Sequence, residues 1–253
     1  VYSRSTTWVF RAGPIVTLAA VLTALAMVPS MGWAAPIAFT GDLVVLVLLL
    51  ALARFATVLA ALDTGSSFEG IGASREAAFS ALSEPALMLG LAAIARGTGS
   101  LSLSEMLGTP GGTAGPGASA SLSSLALVAL SLFVLLLAEN SRVPVDDPNT
   151  HLELTMIPEV MILDHGGPDL AFMEYASALK LWIFEALLVG LALPWRTGSP
   201  GLDALAFLSG MSIVSVTVGL VESTMARLQL QRVPQLLLGA SVLSGFSLIL
   251  ALR

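Results

Sequence analysis

Long apolar runs of Leu, Val and Ala alternate with short polar breaks along the whole chain. Runs of about 17–25 residues predict transmembrane helices. Seven are legible, at roughly 12–29, 42–62, 77–95, 121–138, 171–194, 202–222 and 233–252. Glycine and proline punctuate their ends: Pro29 with Gly32, Gly97, Pro194, Gly198 to Gly201, and Pro234. Glu84-Pro85 interrupts the third run, where proline removes a backbone donor and can kink a helix. Membrane helices carry such a break where neighbours repair the bonding. "DTGSSFEGIGASRE", residues 63–76, reads as the connection before that span. "GTPGGTAGPGASAS", Gly108 to Ser121, reads as a low-complexity flexible loop. No inverted repeat of the kind transporters carry is evident. The expected fold class is all-α, a polytopic membrane helical bundle forming a single integral membrane domain over 1–253.

Composition agrees. Hydrophobic residues make up 56% of the 253 residues and charged residues 11%, with a mean hydropathy of +0.90. A soluble domain carries roughly 25% charged residues, so too few charges are present to cover a water-exposed surface. The net charge of −6 argues against nucleic acid as a partner. The absence of cysteine excludes thiolate metal sites and Fe–S clusters held by this chain alone. His151 and His165 are the only histidines, which argues against a histidine-rich metal centre. The start, "VYSRSTTWVF" from Val1, does not read as a signal peptide, and an N-terminal segment beyond this chain is expected.

Basic residues set the expected orientation. The side of the visible N-terminus carries Arg4, Arg11, Arg75, Arg142, Arg227 and Arg232, and the other side Arg96, Arg196 and Arg253. Six against three places the N-terminus, the 63–76 connection and the 139–170 loop in the cytoplasm.

Two groups of charges stand out. Arg54, Glu84, Glu174, Lys180, Glu185 and Glu222 fall within or at the ends of spans. Ionisable groups near the bilayer centre cost at least ~2.5–3.5 kcal/mol each, so they face a bundle interior or a water-filled cavity and mark function. Glu174 and Glu185 return to nearly the same helix face, about 16 Å apart, with Lys180 between them in height. They could form steps of a proton path, or pair with groups on other helices. Glu84, before its proline, could belong to the same path.

The second group is the loop. Ala138 to Lys180 holds eight of the seventeen acidic residues. From Glu139 to Asp169 a single arginine faces seven acids. Within the loop, Leu152, Met156, Val160 and Leu163 follow the spacing of an amphipathic helix over 152–163. Such a loop meets another protein or lines a polar entrance, with Met156 on the docking face. A merely solvated connector is the plain alternative.

The loop wording also carries a resemblance. "AENSRVPVDDPNTHLELTM" followed by Glu159 resembles the signature of the membrane subunit shared by respiratory complex I and membrane-bound [NiFe] hydrogenases. The "DDPNTHLELTM" form is most similar to the hydrogenase and formate hydrogenlyase branch. "GIGASREAAFSALSEPAL" resembles that family's second cytoplasmic loop, and "ESTMARLQLQRVPQLLLGA" its last loop and helix. The similarity runs from "FRAGP" at Phe10 to the end. The family has eight transmembrane helices and an outside N-terminus, so one further N-terminal helix would reconcile it with seven spans and a cytoplasmic start.

The resemblance implies a subunit that anchors a soluble redox arm and couples electron transfer to proton or sodium translocation. It implies as partners a hydrogenase-like large subunit, an Fe–S small subunit and antiporter-like membrane subunits. The Fe–S clusters and the [NiFe] centre would sit in those partners, with no cofactor or metal on this chain. Matched by motif, Glu139, Arg142, Asp146, Asp147, Glu153 and Glu159 belong to a cytoplasmic proton funnel. Arg75 and Glu84 match the second-loop motif, Glu174 the acid that opens the following helix, and Glu222 and Arg227 the last loop. Lys180 and Glu185 join the pathway, and Arg75, Arg142, Met156 and Arg227 the redox-arm junction. Pro158 departs from the histidine found there in hydrogenase relatives, which puts a histidine relay in doubt; His151 lies nearby. Two other readings stay open: a quinone-chamber subunit of an NADH:quinone oxidoreductase-like complex, and a stand-alone secondary transporter.

Overall fold

The computed structural model describes residues 6–108, 122–146, 157–193, 199–226 and 228–252. Among them the seven expected spans appear as seven long apolar helices: α1 (Trp8–Ala26), α2 (Asp42–Asp63), α3 (Ser67–Thr98), α5 (Leu122–Glu139), α7 (Pro168–Ala192), α8 (Pro200–Thr224) and α9 (Val233–Ala251). Two one-turn helices join them, α4 (Leu103–Met106) and α6 (Pro158–Met161). No strand occurs among the described residues.

Two expectations need correction. The stretch 63–76 is helical from Ser67 onward, so α3 holds 32 residues and extends about 48 Å. That exceeds the ~30 Å hydrocarbon core, so α3 reaches out of the bilayer plane or tilts within it. Glycines disfavour a helix locally by roughly 1 kcal/mol each, which made 63–76 look like a loop. Tertiary packing overrides that preference at Gly72, where an added Cβ would lie 3.0 Å from the Ile157 carbonyl oxygen and 3.0 Å from Met161 Cγ. A Cβ at this position would force α6 to give way by a few tenths of an ångström. The second correction concerns the amphipathic helix at 152–163. Residues 152–156 lie outside the described residues, and the helix that follows ends at Met161. Val160 and Met161 are buried, while Leu163 turns outward and is 54% exposed.

Helix ends are fastened by carboxylates. Asp63, the last residue of α2, accepts hydrogen bonds from the Thr7 and Phe10 backbone N–H groups at 2.6 and 3.2 Å, closing the start of α1. At the other face of the bundle, buried Asp42 accepts from Leu103 N (2.7 Å) and Ser102 Oγ (3.0 Å), holding α4 against the start of α2.

α3 packs along α9 and α5, α1 along α2 and α7, and α5 along α9 and α7. Lipid tails are as apolar as leucine, so packing and interhelical hydrogen bonds hold such helices together. The α5–α9 seam shows both. Ser131 and Ser244 share a hydrogen bond of 2.7 Å, and Ser124 and Ser247 one of 2.8 Å, all four side chains buried. α8 is the most peripheral span, packed on α7 and largely exposed along Leu205, Ile213, Val216 and Leu220. A second, small core of Ala61, Ala73, Ile157 and Met161 ties α6 to α2 and α3. This core fixes one wall of the polar site.

Candidate functional site: a charged hub beside a polar cavity

Arg54 lies nine residues before the end of α2 and Glu76 nine residues after the start of α3. The two helices are antiparallel neighbours, so both side chains sit about 13 Å along from the same turn. Arg54 is only 9% exposed and meets three carboxylates. Its Nη1 donates to Glu84 Oε1 at 2.6 Å. Its Nη2 donates to Glu139 Oε2, at the end of α5. Its Nε lies 3.0 Å from Glu76 Oε1, but that N–H makes no well-directed hydrogen bond. Guanidinium suits this position because its planar fork presents donors in several directions at once.

Glu139 is the most heavily supported of the three acids. It accepts from Ser83 Oγ at 2.5 Å, and Lys180 Nζ of α7 lies 3.7 Å from its Oε2. Four spans thus converge on one cluster: α2 brings Arg54, α3 brings Glu76, Ser83 and Glu84, α5 brings Glu139, and α7 brings Lys180.

Against this cluster opens a cavity of about 250 Å³. Arg54, Glu76, Glu139 and Lys180 line one side, and Arg142, Glu159 and Glu174 the side toward the acidic loop. Thr17, Thr57 and Ser177 add hydroxyls, and Val21, Leu50 and Met173 an apolar wall. A second cavity of about 10 Å³, room for about one water, lies behind it and is lined by Glu76, Ser80, Ser83, Glu139 and Ser141.

The loop side of the cavity is braced by its own bonds. Buried Asp146 accepts from the Ile157 backbone N–H at 2.8 Å, which ties the end of the turn after α5 to the start of α6. Arg142 reaches Glu222 at the end of α8, 3.5 Å away. Leu228 N donates to the Pro144 carbonyl at 2.9 Å, so the α8–α9 connection leans on the same turn. Glu159 is half-buried; burial, with Asp146 and Glu174 adding to it, pushes its carboxyl above the ordinary range against the pull of Arg142. Buried His165 stacks on Phe10 of α1, with centroids 3.9 Å apart and planes within 6°. Burial lowers the pKa of its imidazole.

The structure thus gathers Glu84, Glu139, Glu159, Glu174, Lys180 and Arg142 around or beside one cavity, with Asp146 and Glu222 bracing it. Glu185 lies elsewhere, buried between α7 and α8 and accepting from Ser215 Oγ at 2.9 Å. Glu174, on nearly the same face of α7, is exposed to the cavity. Arg75 stands on α3 beside Glu76. Asp147, His151, Glu153, Met156 and Arg227 lie outside the described residues. Two members were missed as site residues from the sequence. Arg54 was legible as a charge within a span but not as the hub. Glu76 was read as the end of a connection; the proline-free run from Ser67 to Glu84 was the signal that it sits on a helix two turns before Glu84.

Among the described residues no group of His, Asp or Glu is arranged to hold a metal ion. The chemistry available to the cluster is that of carboxylates, two cations, hydroxyls and water: gaining, holding and passing protons.

Comparisons with known proteins bear on the family and the fold. The family model described as NADH dehydrogenase matches residues 1–252. Formate hydrogenlyase subunit 4 of Escherichia coli (strain K12) is 32% identical over 237 residues, covering 90% of this chain and 74% of the relative. Hydrogenase-4 component C of the same organism is 33% identical over 241 residues, covering 94% and 74%. A chain in the structure of the membrane-bound sulfane sulfur reductase, an archaeal respiratory membrane complex, superposes with a TM-score of 0.81 at 19% identity, over 99% of this chain and 82% of that one. That last likeness concerns the fold. With a family model matching from end to end and two relatives above 30% identity, the chain belongs to the NADH dehydrogenase family of complex I subunit 1-like membrane proteins.

Proposed function

We propose that this chain is the membrane subunit of a multi-subunit, hydrogenase- or formate hydrogenlyase-type respiratory complex. It anchors a soluble redox arm at the acidic loop and couples electron transfer in that arm to proton movement through the bundle. The observation that carries this reading is the Arg54 hub: one guanidinium held by Glu76, Glu84 and Glu139 beside a cavity that runs to the acidic loop. Charges at membrane depth are expensive and are kept where they serve a path. The names of the two Escherichia coli relatives support the hydrogenase-type assignment.

In this reading Glu159, Glu174 and Arg142 face the redox arm and Glu76, Glu139 and Lys180 face the membrane interior, with the cavity joining them. Electron carriers belong to partner subunits, a hydrogenase-like large subunit and an Fe–S small subunit, because this chain has no thiolate to ligate a cluster. Antiporter-like membrane subunits would receive the protons. The cavity is smaller than the ~300–1,000 Å³ of pockets for organic ligands and carries more charge than such pockets do, which supports water and protons over a quinone as its contents. The 139–170 side faces the cytoplasm in this reading, following the basic-residue bias.

The test is purification of the tagged chain from its native membranes in mild detergent. Redox subunits and further membrane subunits should co-purify in fixed proportion, and the complex should move protons in vesicles when supplied with electrons. A chain that emerges alone or as a homo-oligomer would point to a stand-alone transporter. Bound quinone beside the 139–170 loop would point to a quinone-reducing complex.

A further inference from the structure

The hub holds more acids than bases. Three carboxyls, Glu76, Glu84 and Glu139, face two cations, Arg54 and Lys180. Among the described residues, other charges do not close the difference. Arg142 is engaged by Glu222. Glu159 and Glu174 across the cavity are acids and widen it. Arg75, next to Glu76 in sequence, lies about 100° away around α3. A surplus negative charge at this depth is costly, and one bound proton removes it.

The geometry says which carboxyl takes that proton. Glu139 accepts from Arg54 Nη2 and Ser83 and has Lys180 beside it. Glu84 accepts from Arg54 Nη1 at 2.6 Å. Both are supported as carboxylates by aligned, charge-assisted hydrogen bonds. Glu76 has the sideways approach of Arg54 Nε, whose N–H makes no well-directed bond to it, and the longer-range attraction of Lys180. Glu76 also lines both the 250 Å³ cavity and the one-water cavity behind it.

We infer that Glu76 is the proton-loading residue of the hub, carrying one exchangeable proton in the resting state. The proton enters from water in the larger cavity and leaves to water in the smaller one, where Ser80, Ser83 and Ser141 can orient it. Release leaves a carboxylate against Arg54, and reloading restores the neutral acid. This rests on the proposed coupling role for its purpose, but the protonation state itself stands on the geometry alone.

Two measurements test it. Carbodiimides add to protonated carboxyls in apolar surroundings. Treatment of the intact complex with dicyclohexylcarbodiimide, followed by peptide mass mapping, should place an adduct on Glu76 and none on Glu84 or Glu139. Absence of an adduct at Glu76, or its appearance at Glu84 or Glu139 instead, overturns the assignment. The second measurement compares Glu76→Gln with Glu139→Gln. Glutamine mimics a protonated acid, so Glu76→Gln should keep wild-type thermal stability and complex assembly while lowering the ratio of protons moved to electrons transferred at least several-fold. Glu139→Gln, which removes a bonded carboxylate, should lose stability. If Glu76→Gln destabilises the complex as much as Glu139→Gln, or keeps the wild-type proton-to-electron ratio, Glu76 is an ordinary ion-pair carboxylate. Failure of the wider functional reading shows differently, as a chain that purifies without redox partners whatever the labelling at Glu76.

Discussion

Replacing Arg54 by methionine keeps most of the side-chain stem and removes the guanidinium. The three acids then face one cation, Lys180, which lies 3.7 Å from Glu139 and reaches Glu76 only at longer range. Removing one partner of a buried charge pair costs about 3–5 kcal/mol, because the uncompensated charge stays behind. Arg54 is 9% exposed and Glu139 6%, so this buried value applies to that contact. Glu84 is 39% exposed and its share must be discounted for screening. The three contacts share one group and do not add. The expected loss is therefore about 3–5 kcal/mol in total, a shift in the folding equilibrium of roughly a hundred- to a few thousand-fold. Arg54→Lys retains the charge without the fork, so it should recover about half of that loss. Titrating the purified complex with a denaturing detergent, followed by loss of the helical circular-dichroism signal, reads the difference. An Arg54→Met complex that unfolds at the wild-type detergent fraction would refute the hub as a stabilising element, and the reading of Glu84 and Glu139 as ionised partners with it.

Three further outcomes follow from the same geometry. The chain has no cysteine, so single-cysteine labelling is clean: Leu163→Cys should react only from the cytoplasmic side and Leu101→Cys only from the other, and the reverse pattern would invert the orientation. His165 has a lowered pKa in the folded chain, so the folded state binds fewer protons than the unfolded one; the stability it contributes is present above its unfolded pKa of about 6.5 and is lost as pH falls below that toward the native value. His165→Phe, which keeps a ring on Phe10, should remove that acid sensitivity in a stability-versus-pH series, and an unchanged series would exclude His165 as its source. Gly72→Val places a Cβ 3.0 Å from the Ile157 carbonyl; α6 should shift off α3, seen as faster proteolysis between 140 and 167, and unchanged protection would mean that α6 is held by something other than this contact.

Hydrophobic patterning was enough for the helices. A span must satisfy its backbone within itself and cover its flanks with apolar side chains, so each of the seven announces itself locally over 17–25 residues. The acids of the loop were equally visible, because so few charges occur elsewhere. Helix extent was less legible. The glycines of 63–76 speak for a turn, and only the seat of α6 on Gly72 shows why α3 runs through them. The same error hid Glu76. Which charges meet was not legible at all. Arg54 is 22 residues from Glu76, 30 from Glu84 and 85 from Glu139 in the chain, and no local pattern encodes which helix faces which. Glu174 and Glu185 share a helix face by their spacing, yet one lines the cavity and the other is buried against Ser215 of α8. Periodicity gives the direction of a side chain from its own helix axis; what it meets there depends on how the helices pack, and that packing alone joined one arginine to three distant carboxylates.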